Sequence, residues 1–320
     1  MSAIGRAGGL GLAKRGAWGV TSQALNSGSN LLLALAIARS VSPAEFGAWS
    51  LAYIGYVVAL HFNRSAASTP MLLTRRQLPA RRDVDVQGCV SAAFVVGAVS
   101  SLLLALAGAM VGSLQFVCWS FAAILPAVLV QDAFRYVYIR GGAPRSAAVL
   151  DVTWVIVQLL GFGCLMYFGV QGAFTLTLVW GFGALLGAVG AAARLRVLPT
   201  LVGAWLYARR NRRISSRLLI DSVLVTGSTH AVPLLVAAWA GLAAAGGLRA
   251  GQTVMGGVSM LVLGLSPVAV TEAVRALREG KSRFSILWVW SAVLASLSCV
   301  YGLLVLSLPD SAGRLLVGES

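Results

Sequence analysis

The chain has 320 residues, of which 58% are hydrophobic and only 11% charged, and its mean hydropathy is +0.84. A soluble domain carries about 25% charged residues, so a soluble globular fold is excluded and an all-α polytopic membrane protein is indicated. The net charge of +15 would suit a nucleic-acid partner, but its placement along the chain assigns it to membrane topology instead.

A membrane-spanning helix needs about 20 mostly apolar residues. Nine segments fit: 16–38, 46–63, 86–111, 114–138, 147–168, 172–193, 217–240, 244–271 and 285–308. The first is long, holds amides and lacks a small-residue exit, so no cleavable signal peptide is expected. Cys89, Cys118, Cys164 and Cys299 all fall inside apolar runs without metal-ligand spacing and read as small buried hydrophobes.

The connections between these segments alternate between very short and basic. One side holds Arg6, Lys14 and Arg15, then Arg64, Arg75, Arg76, Arg81 and Arg82, then Arg135, Arg140 and Arg145. The same side holds Arg194, Arg196, Arg209, Arg210, Arg212, Arg213 and Arg217, and lastly Arg275, Arg278, Lys281 and Arg283. Of the 25 basic residues, only Arg39, Arg249 and Arg314 fall on the other side. The positive-inside rule then places the N-terminus in the cytoplasm of a multi-pass cell-membrane protein. The basic surplus is accounted for by topology and anionic membrane lipids; no nucleic acid is expected.

The pattern also repeats. Gly16–Arg76 reads as apolar helix, Gly47, apolar helix and basic loop, and Ser216–Arg283 reads the same way with Gly247 in place of Gly47. This divides the chain into an N-lobe, 1–193, with six helices, a cytoplasmic interfacial linker, 194–216, and a partial C-lobe, 217–320, with three. Six helices return the second copy in the same orientation, giving parallel repeats about an axis along the membrane normal. That architecture is the signature of a secondary transporter. About three further helices are expected to complete the second lobe.

Polar side chains within hydrocarbon must pair or line a wet cavity. The first segment carries Ser22, Gln23, Asn26, Ser29 and Asn30, and positions 22, 26, 29 and 30 share a helical face. The seventh carries Ser222, Thr226, Thr229 and His230 at corresponding places. Either the two stripes face each other across a central hydrophilic cleft, or they serve interhelical hydrogen bonding. His230 lies mid-span, as an anion or proton site or as a neutral hydrogen-bonded histidine. Asp221, four residues after Arg217, reads as a local pair. Arg64, after His61 and Asn63, either contacts an anionic substrate or snorkels to phosphates. Arg39 and Glu45 are placed to pair at the outer mouth. Gln131, Asp132 and Arg135 end the fourth segment and Asp151 begins the fifth. An Asp132–Arg135–Asp151 staple with Gln131 is expected there as a structural polar network. Arg249, just inside the eighth segment, is a candidate phosphate contact.

None of the common hydrolase, metalloprotease or phosphate-loop motifs is present. An enzyme is not expected, and neither a cofactor nor a metal is implied.

The phrase Leu33–Tyr53, LALAIARSVSPAEFGAWSLAY, in which Ala38, Arg39, Pro43, Glu45, Phe46 and Gly47 match, resembles the junction of the first two helices in Wzx-type flippases. These form the polysaccharide-exporter branch of the multidrug/oligosaccharidyl-lipid/polysaccharide (MOP) superfamily. Gln131–Trp154 resembles the next such junction, and Gly318 after Leu315–Val317 a third. The resemblance implies a MATE-like fold with two lobes in a V around a cavity. It also implies a flippase that moves a lipid-linked oligosaccharide on a polyprenyl diphosphate from the cytoplasmic to the outer leaflet by alternating access. A polysaccharide polymerase or glycosyltransferases would be partners. Gln23, Asn26, Asn30, Arg64, His230 and Arg249 are then the substrate-cavity candidates. Two alternatives stand beside this: a MATE-like drug or cation exporter, which the lack of acids in the first two helix cores disfavours, and a non-transporting scaffold for glycan assembly.

Overall fold

The computed structural model describes residues 18, 21, 22, 25–73, 79–170, 172–278 and 283–307, which form helices and short turns with no strand among them. An apolar helix α1, Leu25–Ala38, leads to α2, Pro43–Asn63, which continues through a π-helical turn, Arg64–Ser68, into α3, Thr69–Leu73. Then come α4, Pro79–Met110, α5, Gln115–Arg140, α6, Pro144–Tyr167, α7, Ala173–Leu195, α8, Leu201–Arg278, and α9, Arg283–Leu306. Among the described residues five stretches are long and apolar enough to cross a membrane: Val84–Met110, Gly112–Arg140, Pro144–Tyr167, Ala173–Leu195 and Leu201–Arg249. The segments expected at 86–111, 114–138, 147–168 and 172–193 coincide with the first four.

The boundary expected at 217 is not a helix boundary. α7 ends where Arg196 takes a left-handed cap (φ 51, ψ 44). Leu201 then begins a helix that runs on without interruption, so most of the segment read as a linker is the first four turns of α8. Ala204, Tyr207, Asn211 and Ser215 recur at helical spacing and are buried, while Leu201, Val202, Trp205 and Leu206 are exposed. An unbroken helix of 78 residues would be about 117 Å long at ~1.5 Å per residue, several times the ~30 Å of bilayer hydrocarbon. The chain turns instead at Gly241 (φ 86, ψ 174), a conformation open to glycine and strained for any other residue.

Each junction has a local cause. Ser42 and Glu45 form a reciprocal capping box on α2, with the Ser42 N–H donating to Glu45 Oε2 at 3.0 Å and the Glu45 N–H to Ser42 Oγ at 3.3 Å, and Pro43 occupies the first turn. The Glu45 carboxylate is thus engaged by its own helix terminus, which replaces the expected Arg39–Glu45 contact. Pro126 sits inside α5 and has no N–H to offer the Ala122 carbonyl one turn back; Ser101 Oγ on α4 donates to that carbonyl. Gly97 lets α4 approach there, since a β-carbon on it would lie 2.7 Å from Pro126 Cα.

The same logic joins α8 to the end of α2. Pro70 cannot donate to the Ala66 carbonyl, which accepts instead from Ser215 Oγ at 3.3 Å. The neighbouring Ala67 carbonyl accepts from Tyr207 Oη at 2.7 Å and from the Cys89 thiol at 3.5 Å. At the other end of α2 the backbones of α2 and α8 touch: a β-carbon on Gly47 would lie 1.8 Å from the Leu242 carbonyl oxygen, and one on Gly246 2.3 Å from that of Pro43. Between these ends Trp49, Tyr56, Phe121, Trp154 and Trp180 are fully buried and stack or meet edge-on at centroid separations of 5.1–6.4 Å. The Trp49 and Trp154 indole N–H groups donate to Thr177 Oγ1 at 3.0 Å and the Trp180 carbonyl at 2.6 Å, so the aromatic core of α2, α5, α6 and α7 leaves neither indole unsatisfied.

Candidate functional site

α2 presents Tyr53, His61 and, at the π-helical turn, Arg64; α8 presents His230 before its Gly241 turn and Arg249 after it. The Arg249 guanidinium lies 4.4 Å from the Tyr53 ring centroid. His230 is within electrostatic range of both Arg249 and His61, and His61 of Arg64 and Asp132. Two of the sequence-predicted cavity residues, His230 and Arg249, are thereby brought to one seam between α2 and α8, and Arg64 lies beside it, next to His61.

Behind the seam lies a shared carboxylate. Arg64 Nε and Nη2 donate to the two oxygens of Asp132 at 3.1 and 2.8 Å, and Arg135 Nη2 approaches the same carboxylate at 3.5 Å. Both guanidiniums flank the Tyr136 ring, at 5.8 and 5.9 Å. Two cations thus share one anion, and Arg135 keeps Nε and Nη1 buried without hydrogen-bond partners. Arg64 therefore neither snorkels nor stands free: at the end of α2 its guanidinium is held by α5. The expected staple between α5 and α6 takes a different form. Asp151 accepts from Gln131 Nε2 at 3.3 Å and from Ser22 Oγ, while Arg135 turns to Asp132, its neighbour on the same helical face.

The α1 stripe does not face an open cleft as one surface. Ser22 donates to Asp151, and Ser29 Oγ to Gln158 Oε1 at 2.6 Å. Gln158 Nε2 returns a bond to the Ser29 carbonyl at 3.0 Å, and the Trp180 indole N–H donates to Ser29 Oγ at 3.1 Å. These two hydroxyls lace α1 to α6 and α7, the outcome favoured where hydrocarbon supplies no water to satisfy them. Asn26 is buried and Asn30 half-buried, with Asn30 Oδ1 lacking a partner. Gln23 lies outside the described residues. On α8, Ser222 and Thr226 are buried with unpartnered hydroxyls, Thr229 Oγ1 bonds back to the Val225 carbonyl at 2.8 Å, and Asp221 is exposed.

Sequence reasoning missed a second ion cluster. Asp85 on α4, with a side chain 4% exposed, accepts from Arg210 on α8 and lies 3.5 Å from Arg140 Nη2 on α5. Its one available signal was a pair of acids, Asp83 and Asp85, at the head of an apolar run; the partners are too distant along the chain for spacing to name them.

Apolar helices of bilayer length, laced by buried ion pairs and indole hydrogen bonds, define a multi-pass membrane protein. Among solved structures the chain is similar to a MOP superfamily transporter from Pyrococcus furiosus, with a TM-score of 0.58 and 10% identity over 92% of this chain and 70% of that one. That transporter is described as having a binding pocket of reverse polarity that suggests a different function. The likeness shows a shared fold. No family model matches the chain, and no curated protein does.

Proposed function

We propose that the chain is a transporter that carries an amphiphile with an anionic, diphosphate-type head across the cell membrane, and that its cargo is a lipid-linked oligosaccharide. The observation that supports this is the excess of guanidinium over carboxylate beside α2, where Arg64 and Arg135 share Asp132 and Arg249 lies over the Tyr53 ring. Guanidiniums match phosphate oxygens in fork geometry, and Tyr53 and Tyr136 offer flat surfaces beside them. A cationic drug would be repelled by this charge, so the drug-exporter alternative loses ground. If pocket polarity separates functions in this fold, positive polarity selects an anionic cargo.

In this reading the chain crosses the membrane nine times with a cytoplasmic N-terminus. Residues 1–193 and 217–320 are two lobes, and 194–216 joins them on the cytoplasmic side. Alternating access separates α2 from α8 at one end while the Gly47–Gly246 contact closes the other. The cargo's carrier and surrounding membrane lipids are the direct partners, and a polymerase or glycosyltransferases act before and after it.

The test is sidedness. Cells lacking the protein are expected to accumulate a polyprenyl-linked glycan accessible from the cytoplasmic face alone. Arg249→Ala is expected to fail to restore export while remaining folded. Unchanged amount and sidedness of lipid-linked glycans would remove the proposal.

A further inference from the structure

α2 has a second functional face. Gly55, Ala59, Phe62 and Ala66 recur along one stripe and form, with the Val95–Ala107 stretch of α4 and Leu219 of α8, a groove of about 530 Å³. Its lining is apolar except for Ser100, and it opens outward, with Leu103 on its rim 63% exposed. The Tyr53, His61 and Arg64 side chains, which meet α8 and α5, leave α2 in another direction. The groove and the cationic seam are therefore two sides of one helix.

The two sides communicate at a defined place. Leu219, the α8 wall of the groove, lies one turn beyond Ser215, which holds the Ala66 carbonyl. Ala66 lines the groove and stands two residues from Arg64, so the α2–α8 junction here borders the groove on one side and the cation cluster on the other. Arg213 and Arg217, both exposed, occupy the same turns of α8. A larger apolar groove of about 730 Å³ lies between α5 and α7, lined by residues such as Ile124, Phe182 and Val189. None of its lining residues is on α2 or α8. Size alone would favour that groove; the charge beside the smaller one decides otherwise.

We infer that the α2–α4 groove seats the hydrocarbon tail of a lipid carrier whose anionic head occupies the α2–α8 seam, the molecule bending around α2 past Leu219. This rests on the proposed function and adds where the tail lies. Burial of methylenes against Ala59, Phe62 and Leu103 supplies affinity that a bare diphosphate lacks.

The test uses the full chain in zwitterionic nanodiscs with a polyprenyl diphosphate carrying a photoreactive diazirine in its tail. Labelling of α2 and α4 peptides is expected to exceed labelling of the α5–α7 groove by about tenfold. It is expected to fall with unlabelled polyprenyl diphosphate and to resist excess phosphatidylglycerol. Ala59→Trp, which fills the groove, is expected to abolish it, while Val189→Trp in the other groove leaves it intact. Equal labelling of the two grooves, competition by phosphatidylglycerol, or persistence in Ala59→Trp overturns the inference in favour of general lipid contact. If the groove stays unlabelled while polyprenyl diphosphate binding still depends on Arg64 and Arg249, the tail seat is wrong and the proposed function stands. If binding ignores both arginines, the proposed function fails and this inference with it.

Discussion

Removing Arg64 tests the central geometry. Breaking a buried pair by deleting one partner costs about 3–5 kcal/mol. Arg64 is 23% exposed and Asp132 5%, so water relieves part of the loss, and Arg135 remains 3.5 Å from the carboxylate. Arg64→Ala is therefore expected to cost about 2 kcal/mol, the low side of the range after screening. Asp132→Ala leaves two guanidiniums facing each other and is expected to cost about 4 kcal/mol. Because the damage in each single variant comes from the group left behind, the double variant should be less destabilised than the sum by about 2 kcal/mol. Reversible unfolding of the purified protein in mixed micelles, followed by tryptophan fluorescence, measures all four corners of the cycle; the rings of Trp49, Trp154 and Trp180 lie in the same bundle. A coupling near zero, or Arg64→Ala costing more than Asp132→Ala, would refute the shared-carboxylate arrangement.

Other consequences are measurable in the same preparation. Gly47→Val places methyl groups against the backbone of Leu242 and is expected to cost about 3 kcal/mol or to part the helices; spin labels on α2 and α8 would report the separation, and an unchanged distance with unchanged stability would contradict the contact. Tyr207→Phe removes the hydroxyl that serves the Ala67 carbonyl and is expected to cost about 1 kcal/mol, with faster hydrogen exchange in the 64–73 stretch. Ser42→Ala should lose about 1 kcal/mol through the α2 cap, whereas Arg39→Ala should change stability by less than ~0.5 kcal/mol; the reverse order would restore an Arg39–Glu45 pairing.

Hydropathy made the helices legible because bilayer length and apolarity leave few alternatives, and α4 to α7 fall where the apolar runs place them. Gly47 was legible as a repeated feature, though its meaning, a backbone contact with α8, needed the fold. The Ser42–Glu45 capping box stood in the sequence as Ser-x-x-Glu and was obscured by a competing reading of Glu45 as a partner for Arg39. At the candidate site the cations could be named singly, but their shared anion could not. Arg64 reaches Asp132 across 68 positions, a separation that no local spacing announces. For Ser22 and Ser29 the sequence leaves a cleft and interhelical bonding both open, since periodicity identifies a face without identifying its neighbour; α6 supplies Asp151 and Gln158 to meet them.

The break between α2 and α3 also has a consequence for biogenesis. The carbonyls of Ala66 and Ala67 are completed by Ser215 and Tyr207, 149 and 140 positions later. At about 5–20 residues per second, a ribosome delivers those donors on the order of ten to thirty seconds after the acceptors have been made. During that interval the Ala66 carbonyl lacks its Ser215 donor and the Ala67 carbonyl has the weak Cys89 thiol donor in place of Tyr207, so the first helices stay loosely joined until the start of α8 arrives. A nascent chain arrested before Tyr207 should therefore be protease-sensitive between Asn63 and Leu73, and one arrested well after Ser215 should be protected there, so the kink acts as a timer that ties maturation of the first half to synthesis of the second.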